Sequence, residues 1–175
     1  MKHLRGLIGE EIAAYVLRKK LNLCVARPSQ LISSLAGVDL KSAQYEFLVK
    51  HQKTMDFIGI WPSVVDFTGE SFRTAAFDLF TNNSLIKSLI AEKSYDMKGY
   101  AIEVKSTALD IHSRPQISLR QTKMVKLAKK VDFQTILVQV TFLPNYETRV
   151  RFFNGKGDPI DITQFELPDE DSQNR

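Results

Sequence analysis

Cysteine is nearly absent from this chain of 175 residues, and long apolar runs are absent altogether. The single cysteine, Cys24, excludes an internal disulfide and a zinc site built from several cysteines, and it fits a reducing cytoplasm. No apolar run approaches the roughly 20 residues of a membrane-spanning helix. The basic start of the chain is soon interrupted by Glu10 and Glu11, which is not the pattern of a signal peptide. We therefore expect a cytoplasmic protein without a membrane partner.

Positive charge exceeds negative charge only modestly over the chain as a whole. The formal net charge at pH 7 is +4, although Asp169, Glu170 and Asp171 are concentrated close to the C-terminal end. The part of the chain before them is more basic than the total, which is compatible with a nucleic-acid partner. We predict one folded domain over residues 1–166 and a disordered acidic tail over residues 167–175.

The central stretch of the sequence, which begins at Tyr100, alternates as a β-strand does. Tyr100, Ile102 and Val104 make one face apolar, whereas Glu103 and Lys105 lie on the other. Charged side chains are rarely buried without a partner or a task. We therefore interpret this strand as the floor of a metal-dependent site that cleaves phosphodiester bonds. The simpler alternative is that Glu103 and Lys105 form an ordinary ion pair.

Helical periodicity precedes this strand in two places. A helix is predicted over residues 4–21, and it includes Glu10 and Glu11, either of which could face a site. Residues 29–53 are predicted to form two helices separated by a break, with Asp39 as a candidate N-cap of the second. These two helices look like an insertion or a partner-binding element.

The period changes to that of strands between residues 55 and 81. One of these strands carries Asp78 between Phe77 and Leu79, and a single aspartate among large apolar residues calls for an explanation. The other predicted elements are short strands over residues 22–26, 56–61 and 160–162, longer strands over 134–143 and 147–153, and helices over 84–93 and 120–131.

In order and context, these segments resemble the PD-(D/E)xK nuclease superfamily. Gly9–Ala14 is similar to the first helix of that family, Phe77–Leu79 to its aspartate strand, and Ile102–Ser106 to its Glu-x-Lys strand. Ile117–Gln121 is similar to the segment after the active site in Holliday-junction resolvases. The resemblance implies an α/β fold of the restriction-endonuclease-like type, in which a mixed central β-sheet is flanked by helices, with a helical insertion at residues 29–53.

Two features depart from the family pattern. The residue before Asp78 is Phe77 rather than proline. The gap from Asp78 to Glu103 is also longer than a hairpin needs, which leaves Asp96 as a rival metal ligand. Asp78 is preferred, because its apolar neighbours place it in a sheet rather than in a turn.

The resemblance implies a Mg²⁺-dependent endonuclease of DNA, in which Mn²⁺ would substitute for Mg²⁺. Asp78, Glu103 and the backbone carbonyl of Val104 would hold the metal ion. Lys105 would orient or help to deprotonate the attacking water and offset developing charge. Glu10 would bind or position the metal from the first helix.

Further residues are expected to contact the substrate. Gln121 would hold water or the scissile phosphate, and Ser106 and Thr107 could donate hydrogen bonds to a phosphate. By analogy with the family, the substrate could be a branched repair or recombination intermediate, and the protein could be a homodimer. A function of a different class is a catalytically silent module of the same fold that binds nucleic acid or assembles with a partner. The helix over residues 120–131 gathers its lysines on one side: Lys123, Lys126, Lys129 and Lys130. Lys123, Lys126 and Lys130 are expected to contact nucleic acid, and the alternative is that this face is only solvated.

Overall fold

A mixed five-stranded sheet lies between helices on its two faces. The computed structural model describes residues 2–36, 42–61, 98–108, 115–145 and 147–166. The strands are β1 (Cys24–Ala26), β2 (Phe57–Trp61), β3 (Lys98–Thr107), β4 (Phe133–Phe142) and β5 (Thr148–Asn154). The helices are α1 (Lys2–Lys20), α2 (Pro28–Ser34), α3 (Ala43–His51) and α4 (Leu119–Lys130), and a 3-10 helix covers Ile162–Phe165.

The strands lie side by side in the order in which they occur in the chain, from β1 to β5. All neighbouring pairs are antiparallel except β3 and β4, which are parallel. A parallel pair needs a crossover connection, and α4 provides it. The C-terminal ends of β3 and β4 therefore meet at one edge of the sheet, where α/β proteins commonly place their ligands.

The predicted alternation of β3 is confirmed by the two clusters of buried residues. Ile102 and Val104 pack with Leu17 of α1 on one face of the sheet. Ala101 packs on the other face with Phe47 of α3 and Met124 of α4. Because successive side chains of a strand point to opposite faces, Glu103 and Lys105 lie on the same face as α4.

The helices at residues 29–53 contribute directly to the core on the α4 face. Leu31 and Leu35 come from α2 and its C-terminal end, and Phe47 and Leu48 come from α3. All four are at least 95% buried and belong to the same cluster as Met124. Within the described ranges, no helix is both long enough and apolar enough to span a bilayer.

Two local predictions are wrong. The N-cap of α3 is Ser42 rather than Asp39, since the Ser42 side chain accepts a hydrogen bond from the Tyr45 amide at 3.2 Å. The short strand expected over residues 160–162 is reduced to a bridge between Pro159 and Phe153 and a hydrogen bond from the Ile160 amide to the Phe152 carbonyl, because the 3-10 helix begins at Ile162. Asp161 caps that helix by accepting a hydrogen bond from the Thr163 amide, which competes with strand pairing.

Several predicted elements fall outside the described residues. They include the later part of the strand region between residues 62 and 81, the helix over residues 84–93, and the acidic tail. Asp78 and Asp96 lie in the same undescribed range, so their assignment as metal ligands stays a prediction. The remaining predicted helices and strands are confirmed within a few residues of the expected bounds.

Helix α1 approaches β3 closely at Gly9. A Cβ atom placed on Gly9 would overlap the Ser106 hydroxyl and lie 3.0 Å from Ser106 Cβ. Glycine is therefore needed here for close packing of the helix on the sheet. Gly6, one turn earlier in the same helix, has no atom within 4 Å of the corresponding position.

These two glycines form a matched pair for a stability test. We expect Gly9→Ala to lower the free energy of unfolding by about 1–3 kcal/mol, because overpacking displaces α1 or Ser106. Gly6→Ala should raise it by roughly 0.5–1 kcal/mol, because alanine favours the helix and meets no neighbour. Urea unfolding followed by circular dichroism measures both, and equal effects of the two substitutions would contradict the close approach.

Candidate active site

Glu103 is a buried carboxylate at the centre of the candidate site. It is 6% exposed, and it lies in the middle of β3, in register with Leu137 in the middle of β4. Its Oε1 accepts hydrogen bonds from Lys105 Nζ, at 2.7 Å, and from Gln121 Nε2. Lys105 is one-third exposed, so the site opens to solvent on that side. The structure therefore brings together three of the residues that the sequence predicts for the site.

Gln121 is held in place by the start of α4. Its backbone amide donates to Ser118 Oγ at 3.3 Å, and its own Oε1 accepts from the Ser118 amide at 2.8 Å. This reciprocal capping box fixes both ends of the helix's first turn. The remaining group of the carboxamide, Nε2, then donates to Glu103. Gln121 thus orients the buried carboxylate of Glu103. It is also a group that could reach a substrate.

Asp56 joins the site, although the sequence interpretation did not assign it a role. The register between β2 and β3 pairs Phe57 with Ile102, which places Asp56 opposite Glu103. The Asp56 amide donates to the Ile102 carbonyl at 2.9 Å. Its carboxylate Oδ2 accepts from the Val104 amide at 2.7 Å. Asp56 therefore occupies the place beside the Glu-x-Lys strand that was expected for an aspartate.

A signal for Asp56 is present in the sequence. Asp56 directly precedes the five apolar or small residues of β2, just as Asp78 lies within an apolar run. The choice between the two depends on which strand pairs with β3, and strand pairing is a long-range property. The structure places β2 there.

The two carboxylates influence each other's ionisation. Burial raises the pKa of Glu103 to about 7, and the nearby charge of Asp56 adds to this effect, while hydrogen bonds from Lys105 and Gln121 oppose it. Burial also raises the pKa of Asp56, although the hydrogen bond from the Val104 amide lowers it. Neighbouring carboxylates that resist ionisation together are a common feature of functional sites.

Glu10 approaches the site from α1 through an ion pair that the sequence interpretation missed. Its Oε2 lies 2.7 Å from Arg27 Nη1, and Arg27 also reaches Glu11 at 3.3 Å. The Arg27 guanidinium lies over the Phe57 ring, 5.2 Å from its centroid. The Glu11 side chain is 75% exposed, whereas that of Glu10 is 22% exposed and its charge raises the pKa of Asp56. Of the two glutamates, Glu10 is therefore the one that faces the site.

The predicted substrate contacts are divided between two faces of the sheet. Ser106 lies on the α1 face, packed against Gly9, and so is not on the side of Glu103 and Lys105. Thr107 shares the face of Lys105 and is partly exposed. The lysines of α4 are all exposed at the surface of the helix: Lys123, Lys126, Lys129 and Lys130.

The oxygen atoms at the site fit a hard divalent cation. Among the described residues, no group of three histidine, cysteine, aspartate or glutamate side chains could hold a metal ion. However, Mg²⁺ commonly uses only one or two carboxylates and keeps several waters. Within the same ranges, Oδ1 of Asp56 and Oε2 of Glu103 receive no hydrogen bond, because all donors use the other oxygen. One oxygen of each carboxylate is therefore left for such an ion.

Comparison with known proteins adds no family assignment. A scan against protein-family models found no match, and searches of curated proteins and of solved structures found no significant match. What the chain does must therefore be inferred from the residues of its own site.

The raised pKa of Glu103 predicts a pH-dependent stability. Between pH 4.5, the ordinary value, and about pH 7, the folded state binds a proton that the unfolded state has lost. The resulting stabilisation is complete below pH 4.5 and is lost as the pH rises through 7. Glu103→Gln removes this dependence, so its stability relative to wild type should increase by about 1–3 kcal/mol across that range.

Urea unfolding at a series of pH values, in the presence of a chelator, measures this difference. Glu147→Gln is the matched control, because it removes an exposed carboxylate that is distant from Glu103 in the sequence. The control should show the pH dependence of the wild-type protein. A Glu103→Gln variant whose stability runs parallel to that of wild type at every pH would show that Glu103 ionises normally.

Proposed function

We propose that this chain is a metal-dependent nuclease that hydrolyses phosphodiester bonds in DNA. The observation that carries the proposal is a buried carboxylate, Glu103, held by Lys105 and Gln121 and flanked by Asp56. A second carboxylate and a lysine beside a buried glutamate are the groups that this chemistry needs. The one-third exposure of the Lys105 side chain leaves these groups accessible to a ligand.

We further propose that the α/β core is of the restriction-endonuclease-like type. In support, the site residues lie on successive elements in the order that the family pattern implies. Glu10 lies on the first helix, Asp56 next to a strand antiparallel to β3, and Glu103 with Lys105 on β3 itself. Gln121 then opens the helix that crosses over to the parallel strand β4.

In this proposal Asp56, Glu103 and the carbonyl of Val104 hold Mg²⁺ or Mn²⁺. The bound ion would supply an acidified water and would stabilise negative charge on the phosphate. Ionised Glu103 is then favoured, so metal binding releases protons and strengthens as the pH approaches 7. Gln121 fixes the orientation of the Glu103 carboxylate, because its own position is set by the cap at Ser118.

Lys105 is proposed to act on the water and on the phosphate. Its Nζ has three donor positions and uses one of them on Glu103 at 2.7 Å. The others are available to orient the attacking water and to offset charge in the transition state. Glu10, held by Arg27, would position water or a second ligand from the opposite side of Asp56.

The proposed partner is DNA, and a branched repair or recombination intermediate is the proposed substrate. The exposed lysines of α4 support a polyanionic partner. A homodimer would allow cleavage of two strands and is proposed by analogy alone. The burial of Cys24, the only cysteine, is compatible with the expected reducing cytoplasm.

A second candidate function is a catalytically silent module that binds nucleic acid. One observation favours it, namely that the Asp56 carboxylate already serves the sheet by accepting from the Val104 amide. A purely structural Asp56 and a Glu103–Lys105 ion pair would then complete the fold without chemistry. The two candidates differ in cleavage and in metal binding, but not in their affinity for nucleic acid.

Cleavage is tested on a panel of branched, nicked and linear DNAs with Mg²⁺ and with Mn²⁺. We expect metal-dependent cleavage that falls by roughly 100-fold or more in both variants, since Lys105→Ala removes a positive charge at the reacting phosphate and Glu103→Ala removes a proposed metal ligand. Circular dichroism should show that both variants are folded, and Glu147→Gln should cleave as wild type does. Full activity in both alanine variants would falsify the assignment of the site.

Metal binding is tested separately by thermal unfolding with increasing Mn²⁺. A ligand that binds only the folded state stabilises it by about 2.7 kcal/mol at 100 times its dissociation constant. We expect this shift in wild type and its loss in Asp56→Asn, because the substitution removes one of the two carboxylates. Asp78→Asn serves as the comparison. A shift that survives Asp56→Asn and disappears in Asp78→Asn would assign the ligand to Asp78 instead.

A further inference from the structure

The sheet face that carries Glu103 becomes polar beyond the start of α4. In register, Lys105 pairs with Gln139 and Gln139 with Arg151, while the next row joins Thr107, Thr141 and Arg149. We call these six residues the polar platform. On the opposite face at the same level, most side chains are apolar: Val104, Val138, Val140, Val150 and Phe152.

The polar platform contains three cations and no carboxylate. Lys105 and Arg151 are partly exposed, and Arg149 is exposed. Glu103, with Asp56 opposite it on the neighbouring strand, lies one row nearer to α4. An inner sheet face ordinarily continues with apolar residues, so this concentration of donors calls for an anionic ligand.

Buried polar atoms on the platform lack partners. Gln139 is 3% exposed, and its Oε1 accepts no hydrogen bond from the residues that the structure describes. Nε and Nη2 of Arg151 are likewise buried and donate to no described residue. Buried polar groups are nearly always hydrogen-bonded in folded proteins, so these three atoms point to a ligand or water that completes them.

The two free atoms of Arg151 define the kind of ligand. Nε and Nη2 form one edge of the guanidinium, whose parallel N–H groups match two oxygens of a phosphate. The guanidinium packs against Phe153, with its central carbon 5.7 Å from the ring centroid, which limits its orientation. Gln139, the cross-strand neighbour, can turn its carboxamide by half a rotation and so add an Nε2 donor.

We propose that the polar platform binds the nucleic-acid backbone next to the phosphate that is cleaved. This inference rests on the proposed nuclease function and adds to it the place of the neighbouring phosphates. Strands are about 4.8 Å apart, so the Cα atoms of Lys105 and Arg151 are separated by roughly 10 Å. Lys105 and Arg151 therefore reach different phosphates of one strand, with Lys105 at the site and Arg151 beside it.

Binding without cleavage tests this inference. Fluorescence anisotropy of labelled duplex and single-stranded DNA, in a chelator and at several salt concentrations, gives the affinity and its salt dependence. Arg151→Gln and Arg149→Gln should each weaken binding to any sequence. Each phosphate contact that is lost should reduce the slope of log affinity against log salt by about 0.9 for duplex DNA or 0.7 for single strands.

Two variants distinguish DNA binding by the polar platform from a general effect of the protein's net charge. Lys156→Gln removes one positive charge from the turn at the opposite end of β5, and it should leave both the affinity and the slope unchanged. Arg151→Lys keeps the charge but loses the guanidinium fork, so it should retain the slope while binding more weakly. Melting temperatures check folding, and if Arg151→Gln fails to fold, the exposed Arg149→Gln decides the question.

The outcomes distinguish this inference from the proposed function. Platform variants that bind like Lys156→Gln overturn the platform, whether or not the wild-type protein cleaves DNA. A reduced salt slope in Arg151→Gln and Arg149→Gln supports the platform. If the wild-type protein shows that slope but cleaves no DNA with either metal, the platform stands as a binding surface and the nuclease proposal fails.

Discussion

The burial of the Glu103 carboxylate is the constraint on which the site depends. A carboxylate at 6% exposure needs donors, and the chain provides them from the same strand and from the next helix, as Lys105 and Gln121. Gln121 can donate only because Ser118 begins α4 at the right residue. The start of the crossover helix is thus tied to the middle of β3, which links the parallel arrangement of β3 and β4 to the geometry of the site.

Local patterns in the sequence predict a good part of this arrangement. The alternation around Glu103 correctly places it with Lys105 on one face, because side-chain direction in a strand depends only on the residue count. The order of motifs likewise places Gln121 close to Glu103. Helix bounds were predicted well for α1 and α4, although only α4 has marked apolar periodicity.

Contacts that depend on strand order were not predictable in the same way. Asp56 reaches Glu103 only because β2 pairs with β3, and Arg27 reaches Glu10 only because β1 returns beside α1. Several aspartates next to apolar segments satisfy the same local pattern. The α3 cap shows the same limit on a smaller scale, since both Asp39 and Ser42 are good capping residues and only the path of the chain selects one.

Asp56 shows how one carboxylate can serve both the sheet and a site. Its Oδ2 accepts from the Val104 amide and so takes the place of a backbone acceptor at the start of β2. That hydrogen bond lowers its pKa, whereas burial and the charge of Glu10 raise it. A divalent cation between Asp56 and Glu103 would relieve their mutual repulsion, and it would release Lys105 from its role as the main counter-charge of Glu103. The repulsion between the two carboxylates disfavours the cation-free site. The same repulsion would therefore favour binding of a metal ion, and with it a phosphate, at this place.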